Sequence, residues 1–101
     1  MIKPVFTTRR AHRQILEIDE WWRAHREKAP SKFTDELELA FRTIETLPGA
    51  GQRYPHPMWD VRRVSMRSTK HHVYYVEEDD RILILAVWGA VKGTGPDLRG
   101  V

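Results

Sequence analysis

At 101 residues the chain has room for one small domain and no second, and it contains no cysteine, which excludes disulfides, thiolate metal sites and a cysteine nucleophile and suits a reducing cytosol. Net charge is +3 with a pI near 9.5, no apolar run approaches the ~18 residues of a membrane span, and MIKPVFTTRR lacks the hydrophobic centre of a signal peptide. The expectation is a soluble cytoplasmic protein without membrane contact.

Ile2 to Thr7 reads as a short strand, with Pro4 placing it at a start or an edge. Thr8 is a helix N-cap residue, and Ala11, Ile15, Ile18 and Trp22 then form one apolar stripe of a helix running to about Lys28. Leu16 and Trp21 fall off that stripe. Ala29-Pro30-Ser31 separates this helix from a second, whose stripe is Phe33, Leu37, Ala40, Ile44 and Leu47, widened by Phe41 and ended by Pro48-Gly49. So short a junction predicts an antiparallel helix hairpin that lays one apolar face on a sheet. Gln52 to Asp60 reads as a loop whose aromatic residues pack over a core edge.

The stretch VRRVSMRSTKHHVYYVEEDDRILILAVW, Val61 to Trp88, predicts three antiparallel strands with two tight turns. Val61 to Arg67 alternates with a period of two, His71 to Glu77 is rich in β-branched and aromatic residues, and Ile82 to Trp88 is almost continuously apolar, as a central strand should be. The turns are Arg67-Ser68-Thr69-Lys70 and Glu77-Glu78-Asp79-Asp80. From Val61 to Tyr75 stand Arg62, Arg63, Arg67 and Lys70 with no acidic residue, and residues 1–14 carry Lys3, Arg9, Arg10 and Arg13, also without one. Such a polarised surface suits nucleic acid or an acidic protein segment. Residues 89–101 read as a flexible C-terminal tail; its glycine-rich start, Gly89 to Pro96, is followed by no helix pattern and lacks the lysine-serine or lysine-threonine ending of a phosphate-binding loop.

The predicted whole is one α+β domain over 1–101. It has a short N-terminal strand, an antiparallel two-helix hairpin, and a three-stranded antiparallel meander forming one sheet with the helices on one face. FTTRRAHRQILEIDEWW, FTDELELAFRTIETLPGAGQRYP and the long stretch from Val61 to Trp88, in that order, resemble the RelE/ParE superfamily of toxins from bacterial type II toxin–antitoxin modules. The resemblance implies a growth inhibitor of the kind tied to plasmid stabilization. It also implies a cognate antitoxin whose acidic C-terminal segment is disordered until it wraps the toxin, with DNA reached only through the toxin–antitoxin complex.

The superfamily divides by target. ParE-like members are associated with DNA gyrase, and RelE-like members cut messenger RNA on the ribosome without a metal. Cleavage by a 2′-hydroxyl needs a base, cations for the phosphorane and a proton donor for the leaving oxygen. Arg67 matches the family's sheet arginine, but His71-His72 replaces its tyrosine-arginine pair, and VKGTGPDLRGV offers neither tyrosine nor histidine. A nuclease would therefore use Arg67, Lys70, His71 and His72. Adjacent strand residues point to opposite faces, so at most one histidine can serve, and the ParE-like reading, which requires no catalytic set, is favoured. Antitoxin contacts are expected at Leu16, Trp21, Leu39, Arg62 and Arg63, and target contacts at Arg63, Arg67 and Lys92. No cofactor or metal is expected.

Overall fold

The computed structural model describes residues 2–90 and 95–99. Lys92 lies outside them. Strand β1 (Val5–Thr7) follows directly on Pro4 and gives way at Thr8 to helix α1 (Arg9–His25). The Thr8 hydroxyl accepts from the N–H of Ala11 at 3.1 Å and so caps the helix. Ala11 and Trp22 are buried, with Ile15 and Ile18 packed beside them, which is the stripe the 3.6-residue period requires.

Helix α2 (Lys32–Thr46) buries Phe33, Leu37, Ala40 and Ile44. Leu47, expected on the same stripe, is 63% exposed. It is the C-cap, with φ −135° and ψ 67°, so it has left the helical phase that would have turned it inward. A single 3-10 turn (Pro48–Ala50) follows and is tied down from the sheet. The Tyr75 hydroxyl donates to the Pro48 carbonyl at 2.5 Å, and the Arg62 guanidinium donates to the carbonyls of Gly49 and Gly51 at 3.1 and 2.9 Å. Gly51 must lack a side chain here, because a Cβ would sit 2.3 Å from the Tyr75 hydroxyl oxygen.

Next comes β2 (Gln52–Tyr54), a strand where the sequence reading placed only loop. Three residues followed by Pro55 carry too little local signal, and the strand exists because Gln52, Arg53 and Tyr54 pair with Arg63, Arg62 and Val61. The remaining strands are β3 (Val61–Met66), β4 (His71–Glu77) and β5 (Ile82–Gly89). Their order in the sheet is β1-β5-β4-β3-β2. The β5–β4, β4–β3 and β3–β2 pairs are antiparallel, whereas β1 joins β5 in parallel, so the sheet is mixed and five-stranded, one strand wider than expected.

A bulge sets which side chains face the helices. Tyr75 pairs with Ile84 and Tyr74 with Ala86, leaving Leu85 as an extra residue in β5. Before it Ile82 and Ile84 lie in the core under the helices; after it the parity switches and Val87 does. Beyond the three-residue β1 the edge of β5 is closed by α1: Gln14 Oε1 accepts from the N–H of Val87 at 2.9 Å.

Both faces of the sheet are covered. Tyr75, Val73 and Met66 join the helix-side core, while Tyr74, Val76, Val61 and Leu85 form a second cluster with Leu98, which is 3% exposed. Residues 95–99 therefore pack on the sheet, a correction to the expected free tail. His56 Nε2 lies 3.2 Å from the Leu98 carbonyl, Arg10 donates to the Asp97 carbonyl, and a Cβ on Gly95 would stand 1.9 Å from the Tyr54 hydroxyl oxygen. The aromatic loop packs only in part: Trp59 stacks on His56 with ring centroids 5.0 Å apart, but Met58 is 82% exposed.

Candidate functional site

The turn between β3 and β4 carries two of the expected cations, Arg67 and Lys70, both exposed. Lys70 has φ 61°, a left-handed backbone that is strained for a residue with a Cβ. Helix α2 holds the turn in this shape. The Glu36 carboxylate accepts from the N–H groups of Ser68 and Thr69 at 3.0 and 2.9 Å and from the Thr69 hydroxyl at 2.6 Å. Burial alone would raise the Glu36 pKa, but donation from Thr69 and Ser68 outweighs it and holds the carboxyl below the ordinary range.

The adjacent histidines go to opposite faces of the sheet. His71 turns toward the helices, its ring edge-on to buried Phe33 with centroids 5.4 Å apart. His72 turns to the other face, where its Nδ1 lies 3.2 Å from the Ser65 hydroxyl and its ring meets the edge of Tyr74. There Arg63 lies over the Tyr54 ring at 5.7 Å and donates to Gln52 and to the Tyr74 hydroxyl. Desolvation first, and then the Arg63 charge, push the His72 pKa down, so the ring is neutral at physiological pH. Burial raises the pKa of Tyr74 against the opposing pull of Arg63, which keeps its phenol protonated. The four residues required for RNA cleavage are thus divided between a turn and two faces rather than gathered in one site.

The expected antitoxin contacts also separate. Arg62 is on the helix side, spent on the carbonyls of Gly49 and Gly51, while Arg63 is on the other face. Leu16, Trp21 and Leu39 are 55%, 45% and 61% exposed. Trp21 lines a groove of about 690 Å³ between the C-terminal end of α1, the start of α2 and the β3–β4 turn. Leu39 lines a second groove of about 330 Å³, and the two share Lys32 and Ser68.

Five contributors escaped the sequence reading: Arg26, Lys32 and Trp22 on the larger groove, and Tyr54 and Tyr74 beside Arg63 on the sheet. The α1 pair had a local signal. Trp22 and Arg26 are four residues apart in the stretch expected to be helical to about Lys28, spacing that brings side chains together; Arg26 is in fact the C-cap of α1, and its guanidinium lies 5.6 Å from the Trp22 ring and 5.0 Å from Trp21. Tyr54 had none, since β2 was not foreseen, whereas Tyr74 stands two residues from His72 on the foreseen strand β4 and so shares its face. Among the described residues no cluster of His, Asp or Glu could hold a metal ion, and no helix is long and apolar enough to cross a membrane.

Comparison with known proteins bears on the family and the fold. The family model of the ParE toxin of type II toxin–antitoxin systems, parDE, matches residues 5–91. Among solved structures, a chain from the chromosomal ParDE TA system of P. aeruginosa is similar, with a TM-score of 0.71 at 18% identity, over 87% of this chain and 96% of that one. At that identity the likeness speaks for the fold. No curated protein sequence gives a significant match.

Proposed function

The chain belongs to the ParE toxin family of type II toxin–antitoxin systems, and we propose that it is the growth-inhibiting partner of such a module, acting in the cytoplasm by binding DNA gyrase and neutralised by a cognate antitoxin. The observation that carries the choice of target is the division of His71 and His72 between the two faces of the sheet, apart from Arg67 and Lys70 on the turn. Acid–base cleavage of RNA requires base, acid and cations around one phosphate; binding a protein surface requires only accessible charge and shape. Arg63 on the sheet and Arg67 on the turn supply that charge toward the target, and the exposed apolar residues of the helices face the antitoxin.

Induction of the chain in bacteria is expected to relax or damage DNA and halt growth before translation stops. Halted translation with normal plasmid topology would refute the gyrase reading. Copurification with the product of the neighbouring reading frame tests neutralisation, and a harmless chain that purifies alone counts against the module.

One cluster favours a second reading, a RelE-like ribosome-dependent endonuclease. Neutral His72, Ser65, Arg63 and protonated Tyr74 share the sheet face away from the helices, and a neutral imidazole beside a cation is suited to take a 2′-hydroxyl proton. Primer extension on cellular messages after induction distinguishes the two: new cuts that vanish in His72→Ala or Arg67→Ala support cleavage, and their absence disposes of it.

A further inference from the structure

The outer face of α1 changes sign along its length. The helix buries Ala11 and Trp22, with Ile15 and Ile18 beside them; at 3.6 residues per turn the opposite side carries Arg9, His12, Arg13 and Leu16, and then Glu17 and Glu20. Arg9, His12 and Arg13 are exposed. None of the three has a carboxylate partner among the described residues, whereas Arg23 and Arg42, farther along the helices, are paired with Asp19 and Glu38. Arg10, beside them, donates to the Asp97 carbonyl, a neutral acceptor, and the Asp97 carboxylate is itself paired with Arg99 at 3.2 Å. Stability alone would not place cations here. The start of a helix is the positive end of its dipole, where acidic side chains are favourable, and α1 has none in its first turn.

We infer that this basic face is a contact surface for the phosphate backbone of duplex DNA, with Arg9, Arg10 and Arg13 each set against a phosphate. The family resemblance implies DNA reached only through the toxin–antitoxin complex; the basic face gives the chain a contact of its own. Such a contact goes beyond the toxin reading and does not depend on it. Shape favours a phosphate backbone over an acidic peptide. Neither groove beside the helices includes Arg9, Arg10, His12 or Arg13. A peptide would find charge here without a pocket for an apolar anchor, whereas backbone binding to DNA draws on cations alone. A duplex also fits better than a single strand, which gains affinity from bases stacked on aromatic rings: the stretch from Arg9 to Glu20 carries no Phe, Tyr or Trp. Arg9 and Arg13 stand about 6 Å apart along the helix axis, and Glu17 and Glu20 in the following turns repel phosphate, which confines the contact to the first two turns of α1.

Each phosphate neutralised on duplex DNA contributes about −0.9 to the slope of log affinity against log salt concentration. Three contacts therefore predict a slope of about −2.7, an about fortyfold loss of affinity between 50 and 200 mM salt. The test is fluorescence anisotropy of a labelled, mixed-sequence DNA duplex titrated with the full chain at both salt concentrations. The Arg9→Gln, Arg13→Gln double variant removes two of the contacts, so the same change of salt should cost it only about threefold. Both side chains are exposed and without carboxylate partners among the described residues, so the variant is expected to fold, which circular dichroism checks. A charge-matched control, Arg23→Gln with Arg42→Gln, changes cations that lie farther along the helices and should bind as the wild type does. Four results would each overturn the proposal: no binding of the duplex by the wild type at 50 mM salt, unchanged salt dependence in the folded Arg9, Arg13 variant, an equal effect of the control, or tighter binding of an oligouridylate than of the duplex. The outcome is read without any measurement of growth, so it is separate from the fate of the toxin reading.

Discussion

Replacing Glu36 by alanine tests whether the turn that presents Arg67 and Lys70 is held from α2. The carboxylate accepts from the Ser68 N–H, the Thr69 N–H and the Thr69 hydroxyl at 3.0, 2.9 and 2.6 Å. Thr69 is only 6% exposed, so its donors cannot turn freely to water once the carboxylate is gone. Hydrogen bonds to a charged acceptor contribute roughly 1.5–3 kcal/mol each at best, but the three share one half-buried group and do not add. Glu36→Ala should therefore destabilise by about 2 kcal/mol, a fall in Tm of about 10 °C for a domain of this size. The pH dependence follows from the lowered pKa. A carboxylate whose folded-state pKa lies below its unfolded value of about 4.3 stabilises fully above that value, and the contribution is lost as pH falls through the folded value. Urea unfolding of wild type and variant should differ at neutral pH and converge in acid. A difference under about 0.5 kcal/mol at neutral pH, or one that persists after the carboxyl is protonated, would show that the turn is held by something else.

Tyr75→Phe removes the donor to the Pro48 carbonyl inside the core and should cost about 1–2 kcal/mol in denaturant unfolding with an unchanged slope; a neutral result means the exit of α2 is fixed by packing and Arg62 alone. Lys70→Gly relieves the φ of 61° and should be neutral or stabilising by up to about 1 kcal/mol, so a loss of more than that contradicts strain at this position. Leu98→Ala should release residues 95–99 from the sheet at a cost of about 1–2 kcal/mol, below the full core value because a terminal segment can undock alone, and hydrogen exchange at Leu98 and Tyr54 should rise together. Unaltered exchange there would mean that Leu98 does not anchor the segment.

The sequence was most informative where local pattern and tertiary role coincide. The stripe Ala11, Ile15, Ile18 and Trp22 is the face α1 buries, and the split of His71 and His72 follows from the two-residue period of a strand. It was silent where an element exists only through its partner. β2 is three residues long and is defined by pairing with β3, and the covering of the second sheet face by Leu98 joins positions far apart in the chain. Arg62 and Arg63 look alike in sequence, yet one is tied to two backbone carbonyls and the other stacks on Tyr54, because neighbours on a strand meet different sides of the fold. The groove at Trp21 was half legible: the i,i+4 spacing of Trp22 and Arg26 is local, whereas the approach of Lys32 and Lys70 depends on how α2 meets the turn.

The central claim is that the chain poisons a topoisomerase without cleaving RNA. Its most direct test is to add the purified chain to purified DNA gyrase and relaxed plasmid and to follow supercoiling and cleaved DNA. Loss of supercoiling that returns on adding the antitoxin is the predicted result. Unchanged gyrase activity, together with ribosome-dependent cuts in messenger RNA that require His72, would contradict it.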